Sequence, residues 1–468
     1  MRKVFDEVYT LDKRCYEEFG LSEDILMENA AQALARVIKR EVKRGEKVLI
    51  VSGAGNNGAD GVTLSRILHL DYDVYLFMPM GAKSQMCQLQ LQRAKSVGVK
   101  IVSKIKKSDV IVDALFGSGL NKPLSDEAVE IIKKLNKKEA YKIACDIPSG
   151  IDTKGNPSPI AFKADVTVSM GAYKRALFGD NAKDYVGEIE VADLGVSKEV
   201  YEGDSDLFLL EKKDMKLPVR DKKSSNKGDF GHTVFLCGDK PGASVIASSA
   251  AFAFGSGLCT LITNKNINLP YDIMSSFSIP KNCTSFCFGM GLGKEYDEET
   301  LFEVVENENI PMVLDADIFR DRAIAEILQN RKNMVLTPHP KEFSSLLKVV
   351  GLGDFEVDEI QKMRFELVRE FTAKFKDIVL LLKGSNTLIA QNGKVYINTF
   401  GTNALSKGGS GDVLSGLIGA LLSQKYSLLD AAISASLAHA IASREYQKAN
   451  YSLTPFELIE NIKCLQKR

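Results

Sequence analysis

The chain has 468 residues, 61 Lys plus Arg against 61 Asp plus Glu, 45% hydrophobic residues and eight cysteines. Its length favours more than one domain, and its charge balance gives no reason to expect nucleic acid or a membrane surface as a partner. No apolar run reaches membrane-span length, the start MRKVFDEVYTLDKR is too charged for a secretory signal, and the cysteines form no CxxC pair for zinc. The expected setting is a reducing cytoplasm.

In chain order, residues 26–38 predict an Ala-rich helix with Ser22 or Asp24 as its cap. Residues 47–52 (KVLIVS) predict a buried strand. It runs into the glycine turn 53–61 and then a helix over 62–70. Strand, glycine turn, helix is the unit that puts a phosphate or ribose at the carboxyl end of a parallel strand. Asn56, Asn57 and Asp60 in that turn offer oxygen ligands and donors to a polar ligand or a hard cation. An Asx-type turn without a ligand explains the same residues.

Further strands are predicted over 74–78, 110–115, 142–146 and 164–170. Asp113 and Asp146 fall at strand ends, each followed by a Gly or Pro turn, and in an open parallel sheet such ends share one crevice. Two acids, Asn57 and Ser149 meeting there suit a cation plus a sugar. Lys174 follows the strand over 164–170, either to pair with phosphate or as a solvated charge. Charges crowd residues 199–223 with little apolar periodicity, and the domain boundary is placed near residue 205.

The second half repeats the rhythm. Strands are predicted over 206–210, 233–237, 286–288, 312–314, 335–336 and 378–382, with a small-residue helix over 244–254. Polar or glycine turns follow: Gly289 to Gly293, Asp315-Ala316-Asp317, Thr337 to Glu342, and Lys383 to Thr387. This predicts a second α/β domain with a largely parallel sheet. His339, between two prolines, is held at one strand end. Last comes Lys407-Gly408-Gly409-Ser410-Gly411-Asp412, ahead of an apolar helical run from Val413. A helix N-terminus opened by glycines is an anion site. A carboxylate beside it suits proton removal from a hydroxyl that attacks phosphorus. A Gly-rich turn capped by Asp explains the same spacing.

Taken together, the motifs GNNGADG (55–61), DALFGSGL (113–120), DIPSG (146–150), KGDFGH, GMGLG, DAD, TPHPKE, LKGSNT and GGSGD resemble one family. It is the bifunctional NAD(P)H-hydrate repair enzymes, an epimerase domain fused to an ADP-dependent dehydratase domain. The resemblance implies an N-terminal Rossmann-like doubly wound domain (1–205) and a ribokinase-like α/β domain (206–468). It implies that Asn57, Asp113 and Ser149 hold a potassium ion. Asn56, Asn57, Gly58, Ala59, Asp60, Gly117, Ser118, Gly119, Leu120, Asn121, Lys122, Pro123 and Asp146 are expected to contact the hydrated nucleotide. In the second half Ala243, Gly291, His339 and Asp412 are expected to face the hydrate. Lys383, Gly384, Ser385, Asn386, Thr387 and Gly411 are expected to hold the adenylate.

Asp412 and Asp146 are the expected catalytic residues, with K+, Mg2+ and ADP, rather than ATP, as cofactors and co-substrate. The chain departs from the family pattern at Ala59, Tyr173, Arg320, Lys341 and Thr402 to Lys407. The expected partners are small nucleotides, with no nucleic acid or membrane and with assembly as a homo-oligomer. A ribokinase-like kinase for a vitamin precursor, fused to a ligand-binding Rossmann-like module, is the alternative.

Overall fold

The computed structural model describes residues 1–120, 122–293 and 296–466. The chain divides into two compact units, Lys3–Leu207 and Phe208–Arg468, with Met1–Arg2 belonging to the second. The N-terminal ammonium pairs with Glu211 and Asp214, and Arg2 pairs with Glu211.

The first unit is built on β1 (Lys47–Ser52), β2 (Asp73–Phe77), β3 (Lys100–Val102), β4 (Val110–Ala114), β5 (Tyr141–Cys145), β6 (Val166–Met170) and β7 (Glu188–Ala192). All run parallel, in the order β3-β2-β1-β4-β5-β6-β7. The order turns back on itself between β1 and β4, which opens a crevice at their carboxyl ends. Its helices include α1 (Tyr9–Glu17), α2 (Glu23–Glu41), α3 (Asn56–Leu68), α4 (Gln85–Ser96) and α5 (Asp126–Asn136).

Strand β1 is apolar without alternation because helices cover both faces of the sheet. Val48 and Ile50 join a core with Ala31, Leu34 and Val62 of α2 and α3. Leu49 and Val51 face the other way, toward Ile131, Ile132 and Leu135 of α5. Helix α2 starts where Ser22 accepts from the Ile25 amide, with Glu23 and Asp24 in its first turn. Asp24 is not the cap; it pairs with Arg93 and accepts from Gln90.

The expected glycine turn over 53–61 is mostly helix, since α3 begins at Asn56. Asparagine and glycine are poor helix formers, but a close approach selects them here. A Cβ on Gly58 would lie 1.9 Å from the Gly53 carbonyl oxygen. Ala59, where the family has glycine, is fully buried in that helix and needs no left-handed backbone.

The second unit carries β8 (His232–Leu236), β9 (Leu258–Ile262), β10 (Met274–Ser276), β11 (Ser285–Phe288), β12 (Met312–Leu314), β13 (Met334–Leu336), β14 (Val379–Leu382), β15 (Thr387–Gln391) and β16 (Lys394–Asn398). They lie in the order β10-β9-β8-β11-β12-β13-β14-β15-β16. The pairs from β10 to β14 are parallel, whereas β14–β15 and β15–β16 are antiparallel. A two-residue turn at Asn392-Gly393, both with positive φ, closes that last hairpin.

Helices α6 (Pro241–Ala253), α7 (Pro340–Val349), α8 (Ser410–Ser423) and α9 (Leu428–Arg444) matter most to the site. The small side chains of α6 let α8 lie against it, and a Cβ on Gly416 would meet the Ala247 carbonyl oxygen at 2.1 Å. No helix among the described residues is long and apolar enough to cross a membrane.

Candidate active sites of the two units

In the first unit a cleft of about 710 Å³ opens at the β1–β4 crevice. Of the expected contact residues, Asn56, Asn57, Asp60, Gly117, Ser118, Gly119, Leu120, Lys122, Pro123 and Asp146 line it. Gly58 and Ala59 do not. Helical periodicity turns residues 56, 57 and 60 to the cleft and buries 58 and 59 against the sheet. Asn121 lies outside the described residues.

Asp146 sits where β5 ends, on a left-handed backbone with φ 70°. Its Oδ2 accepts from the Ser118 amide at 3.1 Å, and its Oδ1 accepts from the Met170 amide at 3.1 Å and from Lys174 Nζ. Lys174 is therefore not a solvated charge: it lines the cleft and is paired with Asp146. It is 1% exposed, and its ammonium also donates to the Met170 carbonyl at 2.8 Å. The short strand Tyr173–Lys174 pairs with Val4 and Phe5 of the same unit.

Asp113, at the end of β4, is wholly buried. Its Oδ1 accepts from Ser149 Oγ at 2.7 Å and from the Leu115 amide at 3.2 Å, and its Oδ2 from the Ser149 amide at 2.7 Å. Burial nonetheless pushes its carboxyl up to about 6, against those hydrogen bonds. In the same unit the Asn57 side-chain amide is buried with neither its oxygen nor its nitrogen hydrogen-bonded. Gly117 sits against both Asn57 and Asp146, its built Cβ falling 3.0 Å from Asn57 Oδ1 and 3.1 Å from Asp146 Oδ2.

The same cleft holds two further acids. Desolvation raises the Asp60 carboxyl well above the usual range, aided by the charges of Asp146 and Asp12. Asp12, on α1, is likewise raised by burial, and its Oδ1 accepts from Tyr201 Oη at 2.7 Å.

In the second unit the carboxyl ends of parallel strands converge on α8. Gly409 caps that helix at φ 89°, a conformation glycine reaches without strain. Ser410, Gly411 and Asp412 form its first turn. Lys383, just past β14, donates to Asp315 Oδ1 at 2.6 Å, and Ser415 Oγ donates to Asp315 Oδ2 at 2.7 Å. A Cβ on Gly411 would lie 3.2 Å from Lys383 Nζ, so the lysine runs directly under the turn. Burial pushes Asp412 up to about 6; Asp315 adds to the shift, Lys383 opposes it, and Glu342 and Asp317 add smaller pushes.

His339 is the N-cap of α7. Its Nδ1 accepts from the Glu342 amide at 3.2 Å, and its backbone amide donates to Glu342 Oε2 at 2.9 Å. Gly291 and Ala243 meet, a built Cβ on Gly291 falling 2.9 Å from that of Ala243. Among the expected adenylate contacts, Gly384 and Ser385 are exposed and Thr387 is half-buried. Asn386 is buried and turned inward, because β15 begins at Thr387.

The sequence reading missed Asp12 and His439 and left Asp315 without a role. Buried His439 of α9 meets the Ser410 carbonyl oxygen through Nε2 at 2.9 Å, and burial holds it down at about 4. It braces the first turn of α8 as a neutral ring. Asp315 could have been weighted, since DAD ends a predicted strand. Asp12 carries no local signal.

Two family models match the chain. One, described as YjeF-related protein N-terminus, covers residues 23–176, and the other, NAD(P)H-hydrate dehydratase, covers residues 233–464. The bifunctional NAD(P)H-hydrate repair enzyme Nnr of Helicobacter pylori is 46% identical over 99% of this chain and 100% of its own length. That of Coxiella burnetii is 32% identical over 92% of each. A Bacillus subtilis ADP/ATP-dependent NAD(P)H-hydrate dehydratase, co-crystallised with ATP and Mg2+, is 26% identical over 54% of this chain and 93% of its own, with a TM-score of 0.45. With full-length relatives at this identity, and with both halves matched in order, the chain belongs to the family of bifunctional NAD(P)H-hydrate repair enzymes.

Proposed function

We propose that in this bifunctional epimerase and dehydratase of hydrated NADH and NADPH the labour divides by unit: residues 1–205 interconvert the R and S hydrates and residues 206–468 dehydrate the S form with ADP. The observation that carries the second half is Asp412, a carboxyl in the first turn of α8 that burial pushes up to about 6, next in the chain to Gly411, under which Lys383 runs. A general base is most effective there.

The hydrate carries a hydroxyl at ring carbon 6, and hydroxide leaves poorly. Asp412 takes the hydroxyl proton as the oxygen attacks the terminal phosphorus of ADP, and AMP departs. Amides of Gly409 and Gly411, with Lys383, stabilise charge on the transferring group. The lone pair of ring nitrogen then expels phosphate, a proton leaves carbon 5, and the reduced nicotinamide is restored. Mg2+ belongs to this reading as the ion that neutralises the phosphates. No cluster of three or more ligating side chains stands ready for it among the described residues, as suits an ion held mainly by phosphate and water.

In the first unit the side-chain oxygens of Asn57, Asp113 and Ser149 suit a potassium ion, and the unpaired Asn57 amide oxygen supports the fit. A potassium ion held by these residues would supply positive charge to the buried Asp113 carboxylate. Asp146, with Lys174, is the acid–base group on that side of the cleft. A cytoplasmic setting and assembly as a homo-oligomer complete the reading. Eight cysteines without a disulfide support the first, and light scattering reads the second.

The test is turnover of the purified protein on each hydrate epimer with ADP and ATP in turn. The expected products with ADP are NADH, AMP and free phosphate. A stable phosphorylated product instead favours the small-molecule kinase.

A further inference from the structure

Behind the main cleft of the first unit lies a second, smaller chamber of about 110 Å³. Four residues line both cavities: Asp12, Asn56, Asp60 and Met170. The far wall of the chamber includes Tyr16, which is exposed, and Glu23, which is half-exposed and accepts from the Asn56 amide. Two carboxyls therefore stand in a partition, with substrate space on one side and a route toward solvent on the other. The chamber is large enough to hold several waters.

Asp146, by contrast, has both carboxylate oxygens occupied by Ser118, Met170 and Lys174. Inversion at ring carbon 6 needs two groups, one to protonate the departing hydroxyl and one to take a proton from the water that adds to the other face. A carboxylate pinned in an ion pair supplies the second role. The first needs a carboxyl that carries its proton at working pH.

We propose that Asp60 is a catalytic residue of the epimerisation, the proton donor opposite Asp146, and that Asp12 is a positioning residue that keeps the proton on it. This rests on the epimerase reading of the first unit. Asp60 gives its proton to the hydroxyl oxygen. The carbon–oxygen bond breaks, the nitrogen lone pair forms the ring N=C double bond, and water leaves. A second water bonds to carbon 6 from the opposite face as the N=C pair returns to nitrogen, and its proton passes to Asp146. Asp60 is then charged and Asp146 protonated, the starting state for the reverse reaction. Asp60 is otherwise recharged from the chamber, past Glu23.

The charged groups that act on Asp60 are Asp146, Asp12 and Glu23, which favour its protonated form with burial, and Lys174, which opposes it; Tyr16, on the chamber wall, and the buried Cys145 thiol lie within its field. Asp12 is set by α1 and by the Tyr201 hydroxyl.

The experiment uses the full chain carrying Asp60→Asn or Asp12→Asn. Interconversion of separated R and S hydrates is followed across pH, alongside hydrate binding and ADP-dependent dehydration of the S form. D60N is expected to lose interconversion by about 100-fold or more, while ADP-dependent dehydration of the S form, carried by the second unit, persists. Wild-type kcat/KM for interconversion should fall as pH rises through the raised Asp60 pKa. D12N, which removes one neighbouring charge, should move that fall to lower pH. Interconversion by D60N within a few-fold of wild type overturns the proposal. So does a D12N variant whose pH profile is unmoved, which also decides the matter if D60N does not fold. A wild-type chain that leaves the epimers apart overturns the epimerase reading itself.

Discussion

Lys383 Nζ lies 2.6 Å from Asp315 Oδ1, directly beneath the Gly411 backbone that opens α8. The two residues end strands β14 and β12, which are not neighbours, so β13 and the parallel register hold them together. Asp412 titrates in the field of both. Asp315 is the larger charged neighbour raising its pKa and Lys383 the one lowering it. A general base works when ionised, so dehydration should rise as pH climbs through about 6. Asp315→Asn removes the repulsion and should shift that rising limb to lower pH. A kcat/KM profile against pH for S-hydrate dehydration measures it; an unmoved limb means the pair does not govern Asp412.

Asp412→Asn keeps the size and most hydrogen bonding of the side chain while removing its basicity. ADP-dependent recovery of NADH absorbance from the S hydrate should drop by about 100- to 10,000-fold, and R/S interconversion should continue. Loss of both activities in a folded variant would mean that the two units do not divide the reactions as proposed.

Potassium should act through Asp113. Its folded pKa is raised to about 6 from 3.8, so the folded unit binds that proton more tightly than the unfolded chain does. Stability then falls as pH rises from about 4 through 6, where the buried charge appears with hydrogen bonds but no cation beside it to offset it fully. A cation at Asn57, Asp113 and Ser149 offsets that charge. Melting temperature should therefore gain more from K+ at pH 7.5 than at pH 5, with choline as the control salt, and Asp113→Asn should erase the difference. An equal gain at both pH values would place the potassium effect elsewhere.

Gly58→Ala tests how closely α3 is pressed to the sheet. The added methyl would stand 1.9 Å from the Gly53 carbonyl oxygen, a backbone atom that cannot rotate away. The expected cost is about 1–3 kcal/mol, read as a lower midpoint in denaturant unfolding of the first unit. A neutral result would show that α3 can slide outward freely.

Much of this was legible because parallel strands buried on both faces are continuous apolar runs. Strand β1 falls at Lys47–Ser52 and β12 at Met312–Leu314, as their sequences imply. Edge strands β3 and β10 are short and partly exposed, and their sequences carry no such run. The β15–β16 hairpin did leave a local mark, Asn392-Gly393, that the parallel pattern overshadowed. The start of α3 was hidden because close packing against β1 overrides the poor helix propensity of Asn and Gly. Within the sites, residues at strand ends could be read in register. Lys174 could not, because its role depends on Asp146, met only across the fold. Asp12 acquires meaning only when α1 brings it to the cleft beside Asp60.

The left-handed backbone at Asp146 restricts how its chemistry can be probed or altered. At φ 70°, asparagine and aspartate pay little, while alanine, glutamate or a β-branched residue adds strain of about 1 kcal/mol or more to whatever chemistry is removed. A silent first unit is therefore best made with Asp146→Asn. Any other replacement at this position mixes a backbone effect with the chemical one, so a lost activity would not report on the carboxylate alone.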